Sequence, residues 1–198
     1  MEQKYVMAAI DAALKASEEI LSIYEDPASD FEIERKADNS PLTIADRKAH
    51  EAIVAVLSKT PFPILSEEGR HLDYEVRCKW DMLWIVAPLD GTKEFIYRNG
   101  RFCINIALVE KGKPVFGMIN SVCDGEILWA FASGEKGIVK KGKEEALSGI
   151  GEKSSKLRVA VSRFHITEWE LRYVDYLKSL GHDVELVPLG ASSKHCLL

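Results

Sequence analysis

Trp84-Ile85-Val86-Ala87-Pro88-Leu89-Asp90-Gly91-Thr92-Lys93-Glu94-Phe95 is the stretch that decides the fold. Its first three residues are apolar, which is typical of a strand covered on both faces. Pro88 has no N–H for a ladder, so we expect the strand to end there. Asp90-Gly91 is a turn pair, and the Thr92 hydroxyl is expected to cap the helix that follows. This meeting of a carboxylate with free N–H groups suits a divalent cation beside a phosphate, and a plain turn with a solvated Asp90 also fits.

Composition places the 198-residue chain among ordinary globular proteins, with 46% hydrophobic and 29% charged residues. Such a chain forms one domain, or one domain and part of another. The net charge of -5 argues against a nucleic-acid surface, but a metal would still allow a small anionic ligand. The sequence has no CxxC pair, no signal-peptide pattern and no apolar run that spans a bilayer. We therefore expect a cytoplasmic protein without membrane insertion, and peripheral association with the inner membrane stays open.

Hydrophobic periodicity predicts both amphipathic helices and strands, and hence an α/β fold of the α+β type. One helix is expected over 4–24 and a second over 43–58, where Thr43 and Asp46 have the spacing of a capping box. The segment 70–79 is expected to be a surface loop. The polar segment 141–156 is the expected boundary between an N-terminal metal- and phosphate-binding lobe, 1–140, and a C-terminal lobe that starts with 157–198.

Residues 190–198 have the pattern of a helix that stops within its first apolar turn. Helices in globular proteins usually run for three or four turns. A shortened chain that lacks the C-terminal portion of its fold is therefore expected, although a natural end here also fits.

Three acidic residues, Asp46, Glu67 and Asp90, each stand at a transition between two predicted elements. Carboxylates at strand ends converge over one edge of a sheet, where they suit Mg²⁺. A pair of metals about 4 Å apart lowers the high barrier to phosphate-ester hydrolysis. Each residue also has a structural interpretation, as a capping residue or part of a solvated turn, and Ser192 and Lys194 would merely begin the last helix. Spacing alone therefore predicts an α/β domain with a candidate metal and phosphate site.

Three linked motifs resemble a known family, the Mg²⁺-dependent, lithium-sensitive phosphatases of the inositol monophosphatase superfamily. The motifs are Lys36-Ala37-Asp38-Asn39-Ser40-Pro41-Leu42-Thr43 with Asp46, Leu65-Ser66-Glu67-Glu68, and the stretch from Trp84 to Phe95. Within the superfamily, the chain is most similar to the 3'(2'),5'-bisphosphate nucleotidases, at Lys93-Glu94-Phe95, Arg98-Asn99-Gly100 and Asn105-Ile106-Ala107-Leu108. Any one motif is a weak signal, but their order over nearly the whole chain makes a strong one.

The resemblance implies a layered α/β/α/β fold and the hydrolysis of adenosine 3',5'-bisphosphate to AMP, which clears a by-product of sulfate assimilation. It implies two or three Mg²⁺ ions. The side chain of Glu67 and the carbonyl of Leu89 would bind metal, and Asp90 would bind the second ion. A small phosphorylated nucleotide is the implied partner, and the sequence does not indicate an oligomeric state.

The resemblance also implies roles around the attacking water and the substrate. Asp46 and Thr92 would orient and deprotonate the water, with Glu67 close by. The N–H groups of Gly91 and Thr92 would hold the phosphate. Further positions that match substrate-binding positions of the family are Ser162, Arg163, His165, Ser192 and Lys194.

Two departures from the family pattern matter. Ala87 stands where the family has an aspartate that bridges both metals. A methyl group coordinates nothing, so the site loses a shared ligand and a negative charge, and we expect fewer bound ions. A Trp-Asp motif, whose aspartate holds the second metal, lies beyond Leu198 in the family. The chain is therefore expected to be inactive or severely impaired, whether Ala87 is engineered or natural, and Ala87→Asp alone is not expected to rescue it.

Two other functions stay open. The first is an inositol or sugar-phosphate phosphatase of the same superfamily, with the same metal core. The second is a non-catalytic pseudoenzyme that binds a nucleotide without hydrolysing it, which the missing bridging aspartate favours.

Overall fold

The chain contains both helices and strands, as the periodicity predicts. The computed structural model describes residues 3–36, 40–70, 72–145, 147, 156–164 and 166–197. Helices α1 to α5 span Gln3–Tyr24, Ile44–Leu57, Tyr74–Arg77, Thr92–Ile96 and Glu168–Ser179. Strands β1 to β11 span Glu34–Arg35, Pro41–Leu42, Ile64–Ser66, Met82–Asp90, Cys103–Glu110, Lys113–Ser121, Glu126–Phe131, Lys136–Lys140, Lys143–Glu145, Lys156–Ser162 and Asp183–Leu189. A 3-10 helix, Ala191–Leu197, follows the last strand.

The main sheet has seven strands in the order β3-β4-β5-β6-β7-β8-β9. Strands β3 and β4 are parallel, and every later neighbour in this sheet is antiparallel. Alternate residues of β4 point to opposite faces, because Trp84 and Val86 are buried with the core whereas Ile85 is 42% exposed. The mixed α/β architecture is thereby confirmed.

Helices α1 and α2 pack against each other and contribute most of the helical part of the core. The contact face of α1 is made of small residues, since Ala9, Ala12, Ala13 and Ala16 are all fully buried. Small side chains let the two helix backbones approach closely, while Ile53 and Leu57 of α2 supply the bulk. Both helices were predicted from the sequence, within one residue of their observed ends.

Three local predictions were wrong. The strand does not end at Pro88 but continues to Asp90 through a register shift, where a residue without an N–H is tolerated. The cap of α4 is Gly91, in the left-handed region at φ 95°, and Thr92 is the first helical residue. The segment 70–79 is not all loop, since its centre forms the short helix α3.

A second, two-stranded sheet pairs β10 with β11 in parallel, and α5 connects them. Within the predicted boundary segment 141–156, strand β9 pairs with β8 and adds to the edge of the main sheet. The division into lobes at 1–140 and 157–198 stays a prediction. The segment after residue 190, predicted as the first turn of a helix, is the 3-10 helix. Across the described ranges, every helix is too short or too polar to cross a membrane.

Phe95 fixes the position of α4, and with it the position of the residues around Asp90. The side chain is fully buried. Its ring lies 4.7 Å from the ring of Phe31 and 5.3 Å from those of Tyr24 and Phe102, measured between centroids. Aromatic contacts of this kind add to the free energy of burial. The turn before α4 is therefore held on a rigid support.

The cross-strand contact between Trp129 and Gly137 provides a test of the main sheet. A Cβ at Gly137 would lie 2.6 Å from Cζ2 of Trp129, so we expect Gly137→Ala to lower the free energy of unfolding by about 1–3 kcal/mol. Urea denaturation measures the change. Gly117→Ala is the matched control, because a Cβ there meets nothing within 4 Å, and a change of less than about 1 kcal/mol is expected. Equal effects of the two substitutions would contradict the close contact.

Candidate active site

A cleft of about 420 Å³ lies at the end of β4, beside the start of α4. The end of β10 and the beginning of the 3-10 helix contribute to its walls through Ser162, Ala191 and Ser192. Segments that are far apart in the sequence therefore meet at one opening. The charged side chains that line it are of both signs: Lys36, Glu67, Asp90, Lys93, Glu94 and Lys194.

Asp46 is 1% exposed and connects α2 to the cleft. Its Oδ2 accepts hydrogen bonds from the N–H of Thr43 at 2.7 Å and from the Thr43 hydroxyl at 2.6 Å. Its Oδ1 accepts a hydrogen bond from the hydroxyl of Thr92 at 3.2 Å. Burial raises the pKa of Asp46 above its ordinary value, against the opposing effect of the hydrogen bonds from Thr43 and Thr92. Asp46 thus combines helix capping with a contact to the cleft.

Asp90 is held between the main sheet and the 3-10 helix. Its Oδ2 accepts hydrogen bonds from the Ser192 hydroxyl at 2.5 Å and from Nδ2 of Asn105 at 3.2 Å. Nδ2 of Asn105 also donates to Oγ of Ser192 at 2.9 Å. The other amide atom, Oδ1 of Asn105, is buried and has no hydrogen-bond partner in the described part of the chain. Asn105 is the direct cross-strand neighbour of Ala87.

Lys36 forms ion pairs with both glutamates that follow β3. Its Nζ lies 2.8 Å from Oε1 of Glu67 and 2.5 Å from Oε1 of Glu68. The Glu67 side chain is 52% exposed, while that of Glu68 is 10% exposed. Burial by itself would lower the pKa of Lys36, but the hydrogen bonds and charges of the two glutamates outweigh it and the pKa is raised. A cation that binds Oε1 of Glu67 must therefore compete with this ammonium group.

Most of the predicted site residues line the cleft. Asp46 contacts it through Thr92. Arg163 is not among the lining residues, and its Nη2 lies 3.5 Å from the carbonyl of Pro188. His165 falls outside the described residues. The predicted site residues that line the cleft are Glu67, Leu89, Asp90, Gly91, Thr92, Ser162, Ser192 and Lys194. Their proximity does not assign them roles, so the roles stay predictions.

Ala87 lines a neighbouring apolar cavity of about 510 Å³. Ser192 and His195 line both spaces, so position 87 adjoins the cleft without opening into it. The methyl group suits the apolar wall, which Ile85, Ala107 and neighbouring aliphatic residues complete.

Sequence reasoning missed three polar side chains as site residues. Lys36, Glu94 and Asn105 all stand in the quoted motifs, but none was assigned a role. A signal was present for Asn105, which interrupts the apolar strand from Cys103 to Val109. Nothing in the sequence indicates that Lys36 would reach Glu67, 31 residues away.

The donor atoms around the cleft determine which kind of magnesium site the residues fit. In the described ranges, no three or more His, Cys, Asp or Glu side chains are arranged to hold a metal. The carboxylates of Glu67 and Asp90 and the carbonyl of Leu89 are nevertheless hard oxygen donors at one cleft. Mg²⁺ is commonly held by one or two carboxylates together with substrate phosphates. The set therefore fits an ion that is shared with a bound phosphate, rather than an ion caged by protein alone.

Comparisons with known proteins identify the relatives of the chain. The family model described as "Inositol monophosphatase family" matches residues 1–181. The 3'(2'),5'-bisphosphate nucleotidase CysQ of Salmonella typhimurium is 41% identical over 194 residues, which cover 94% of this chain and 73% of that protein. CysQ of Escherichia coli K12 is 39% identical over the same length.

Solved structures agree with these relatives. The crystal structure of CysQ from Bacteroides thetaiotaomicron has a TM-score of 0.86 and 50% sequence identity, and the match covers 98% of this chain and 76% of that one. SuhB from Bartonella henselae, at 24% identity and a TM-score of 0.74, shares the fold. The family expected from the motifs is thereby confirmed: the chain belongs to the inositol monophosphatase family, and its CysQ relatives at 39–41% identity are named 3'(2'),5'-bisphosphate nucleotidases.

Proposed function

We propose that the protein is a Mg²⁺-dependent phosphomonoesterase that removes the 3'-phosphate of adenosine 3',5'-bisphosphate to give AMP. The observation that carries this proposal is the hydrogen bond from Thr92 to the buried Asp46 at the cleft that Asp90 and Gly91 also line. Nucleotidases at 41% identity support the substrate class. The proposed role is the clearance of a by-product of sulfate assimilation in the cytoplasm.

Asp46 and Thr92 form the proposed path for a proton. The Thr92 hydroxyl donates to Oδ1 of Asp46, so its oxygen is free to accept a hydrogen bond from a water molecule in the cleft. As that water attacks phosphorus, its proton passes to the Thr92 oxygen while the Thr92 proton passes to Asp46. The bond between phosphorus and the ribose 3'-oxygen breaks, and this oxygen takes up a proton from solvent to give the 3'-hydroxyl of AMP. A base with a raised pKa is better suited to receive this proton near neutral pH than an ordinary aspartate is.

The proposed ligands of Mg²⁺ are the Glu67 and Asp90 carboxylates and the Leu89 carbonyl. When bound, the ion supplies positive charge to the phosphate oxygens and the leaving oxygen. A metal contact through Oε1 of Glu67 would replace its ion pair with Lys36, whereas Asp90 keeps the hydrogen bonds from Ser192 and Asn105. Such donors hold a carboxylate in a fixed orientation toward its ion.

The proposed phosphate contacts are the backbone N–H groups of Gly91 and Thr92. The nucleotide is proposed to extend toward the second sheet and the 3-10 helix, where Ser162, Ser192 and Lys194 line the cleft. Arg163 and His165 are proposed as further contacts on the same side. This arrangement assigns metal and phosphate to the lobe of residues 1–140 and part of the nucleotide to the lobe that starts at residue 157.

We further propose that Ala87 slows the reaction. Position 87 pairs with Asn105, which contacts Asp90, so an aspartate here would add negative charge next to the proposed metal ligands. A second candidate function, a non-catalytic nucleotide-binding protein, is supported by Ala87 together with the Lys36 ammonium on Glu67. An inositol or sugar-phosphate phosphatase is the alternative within the family.

Phosphate release in Mg²⁺ buffer tests the substrate. Release is expected to be faster from adenosine 3',5'-bisphosphate than from inositol 1-phosphate or fructose 1,6-bisphosphate. Asp46→Asn is the control for contaminating phosphatase, and it is expected to lower the rate by about a hundredfold or more, as loss of a general base does. Faster release from the inositol ester would favour the other branch of the family, and nucleotide binding without release would favour the non-catalytic protein. Turnover near the enzyme median of about 10 per second would refute the effect assigned to Ala87.

Restoring the family aspartate tests the assignment of position 87. Ala87→Asp is expected to tighten Mg²⁺ binding, measured by calorimetry with inorganic phosphate present, by at least about tenfold, because a new carboxylate attracts a dication. Ala107→Asp is the matched control, since Ala107 lines the same apolar cavity but pairs with Ile85 rather than Asn105. The same gain in both variants would show that general negative charge, and not position 87, attracts the ion.

The titration of Asp46 tests its role as a base. Its pKa, followed by carboxyl ¹³C NMR, is expected above the ordinary value because of burial. Ionisation of Asp46 in the folded protein therefore lowers the free energy of unfolding. Protonated Asp46 contributes to stability at acid pH, and this contribution is lost as the pH rises through the raised pKa. Thr92→Val removes a donor to the ionised form, so it is expected to raise the pKa further. Thr167→Val, at the cap of α5, is expected to leave it unchanged.

A further inference from the structure

Glu94 is a buried carboxylate that has no hydrogen-bond donor. It is 7% exposed and lines the cleft. No residue in the described part of the chain forms a hydrogen bond or an ion pair with its side chain. Its two oxygens are not among the fully buried polar atoms that lack a partner in the described residues, so they keep some contact with the cleft. An unpartnered carboxylate that is packed into a cleft wall in this way is a candidate for ligand binding.

Two glycines admit the Glu94 carboxylate. A Cβ at Gly190 would lie 2.3 Å from Oε1, and one at Gly91 would lie 3.2 Å from Oε2. The carboxylate is therefore packed between the turn before α4 and the turn before the 3-10 helix. Backbone packing, and not hydrogen bonding, holds it in place beside Gly91.

Two of the lysines that line the cleft are engaged with other groups. Lys36 is paired with Glu67 and Glu68, and Nζ of Lys194 donates to the carbonyl of Ala191 at 2.7 Å. A favourable interaction with the positive N-terminal end of α4 would explain an acidic residue here, but an exposed one would serve equally well. The burial of Glu94 needs another reason.

We propose that the Glu94 carboxylate accepts a hydrogen bond from a substrate hydroxyl that is adjacent to the scissile phosphate. This inference rests on the proposed function, which puts a phosphate at Gly91 and Thr92. Glu94 and that phosphate repel each other, so a ligand fits best when it brings a donor toward the carboxylate. On a ribose with a 3'-phosphate, the adjacent donor is the 2'-hydroxyl. Glu94 would therefore make the site select ribonucleotides over deoxyribonucleotides.

Paired binding measurements test the selection. Calorimetry in Mg²⁺ buffer, with phosphate release monitored in parallel, compares adenosine 3',5'-bisphosphate with its 2'-deoxy counterpart. The native chain is expected to bind the ribonucleotide at least about tenfold more tightly, which is the effect of one charge-assisted hydrogen bond. Glu94→Ala is expected to bring the ratio of the two dissociation constants to about one without weakening binding of the deoxynucleotide. Glu110→Ala, an exposed glutamate on β5, is the control and should keep the native ratio.

A folding measurement excludes a structural role for Glu94. Glu94→Gln keeps the shape of the side chain and removes its charge, so the unfolding temperature is expected to stay the same or to rise. A marked fall would overturn the inference, because it would show that the charge stabilises the fold.

The remaining outcomes separate this inference from the proposed function. If the native chain binds both nucleotides equally, the role of Glu94 is wrong and the function stands. If it binds neither, the proposed substrate fails, and the inference fails with it. If Glu94→Ala weakens Mg²⁺ binding and leaves the ratio unchanged, the carboxylate holds an ion and the hydroxyl assignment is wrong.

Discussion

The hydrogen bonds of one buried carboxylate join the helical layer to the cleft. Asp46 accepts hydrogen bonds from the N–H and the hydroxyl of Thr43, the N-cap residue of α2. It also accepts one from the hydroxyl of Thr92, the first residue of α4. Both helix starts are therefore set by the same two oxygen atoms. Phe95 anchors α4 from its other end within an aromatic cluster, so the turn at Gly91 has little freedom to shift. Preorganisation of this kind is what catalysis of phosphate transfer requires.

The sequence predicted elements better than it predicted contacts. Helix spans follow from local periodicity, which is why α1 and α2 were placed correctly. Pro88 was misread because a strand that is already irregular accommodates a missing N–H, and irregularity depends on the partner strand β5. Thr92 was misread as a cap because Gly91, in the left-handed region, takes the cap position, and the Thr92 hydroxyl instead donates to Asp46, which is 46 residues away. No local pattern carries that information.

For the candidate site too, the sequence predicted which residues belong together but not which partners they contact. Motif order indicated that Asp46, Glu67 and Asp90 belong to one site, and the structure brings Glu67 and Asp90 to the cleft with Asp46 next to it. Their partners depend on tertiary packing. Lys36 reaches Glu67 from the loop after β1, and Asn105 reaches Asp90 from the adjacent strand. The family resemblance supplied roles, but only the fold supplies these counter-charges and donors.

The internal partners of the carboxylates change how Ala87 should be understood. Asp46 and Asp90 accept hydrogen bonds from neutral groups of the chain, and Glu67 is paired with the Lys36 ammonium, so each carboxylate already has a partner within the chain. An aspartate at position 87 would add a charge beside Asn105, and that charge would need an ion of its own. With alanine there, the demand for a cation is weaker. Among the described residues Glu94 is the exception, because its largely buried carboxylate has no hydrogen-bond donor from the chain. A ligand that brings its own donor would therefore complete the site more fully than a metal alone.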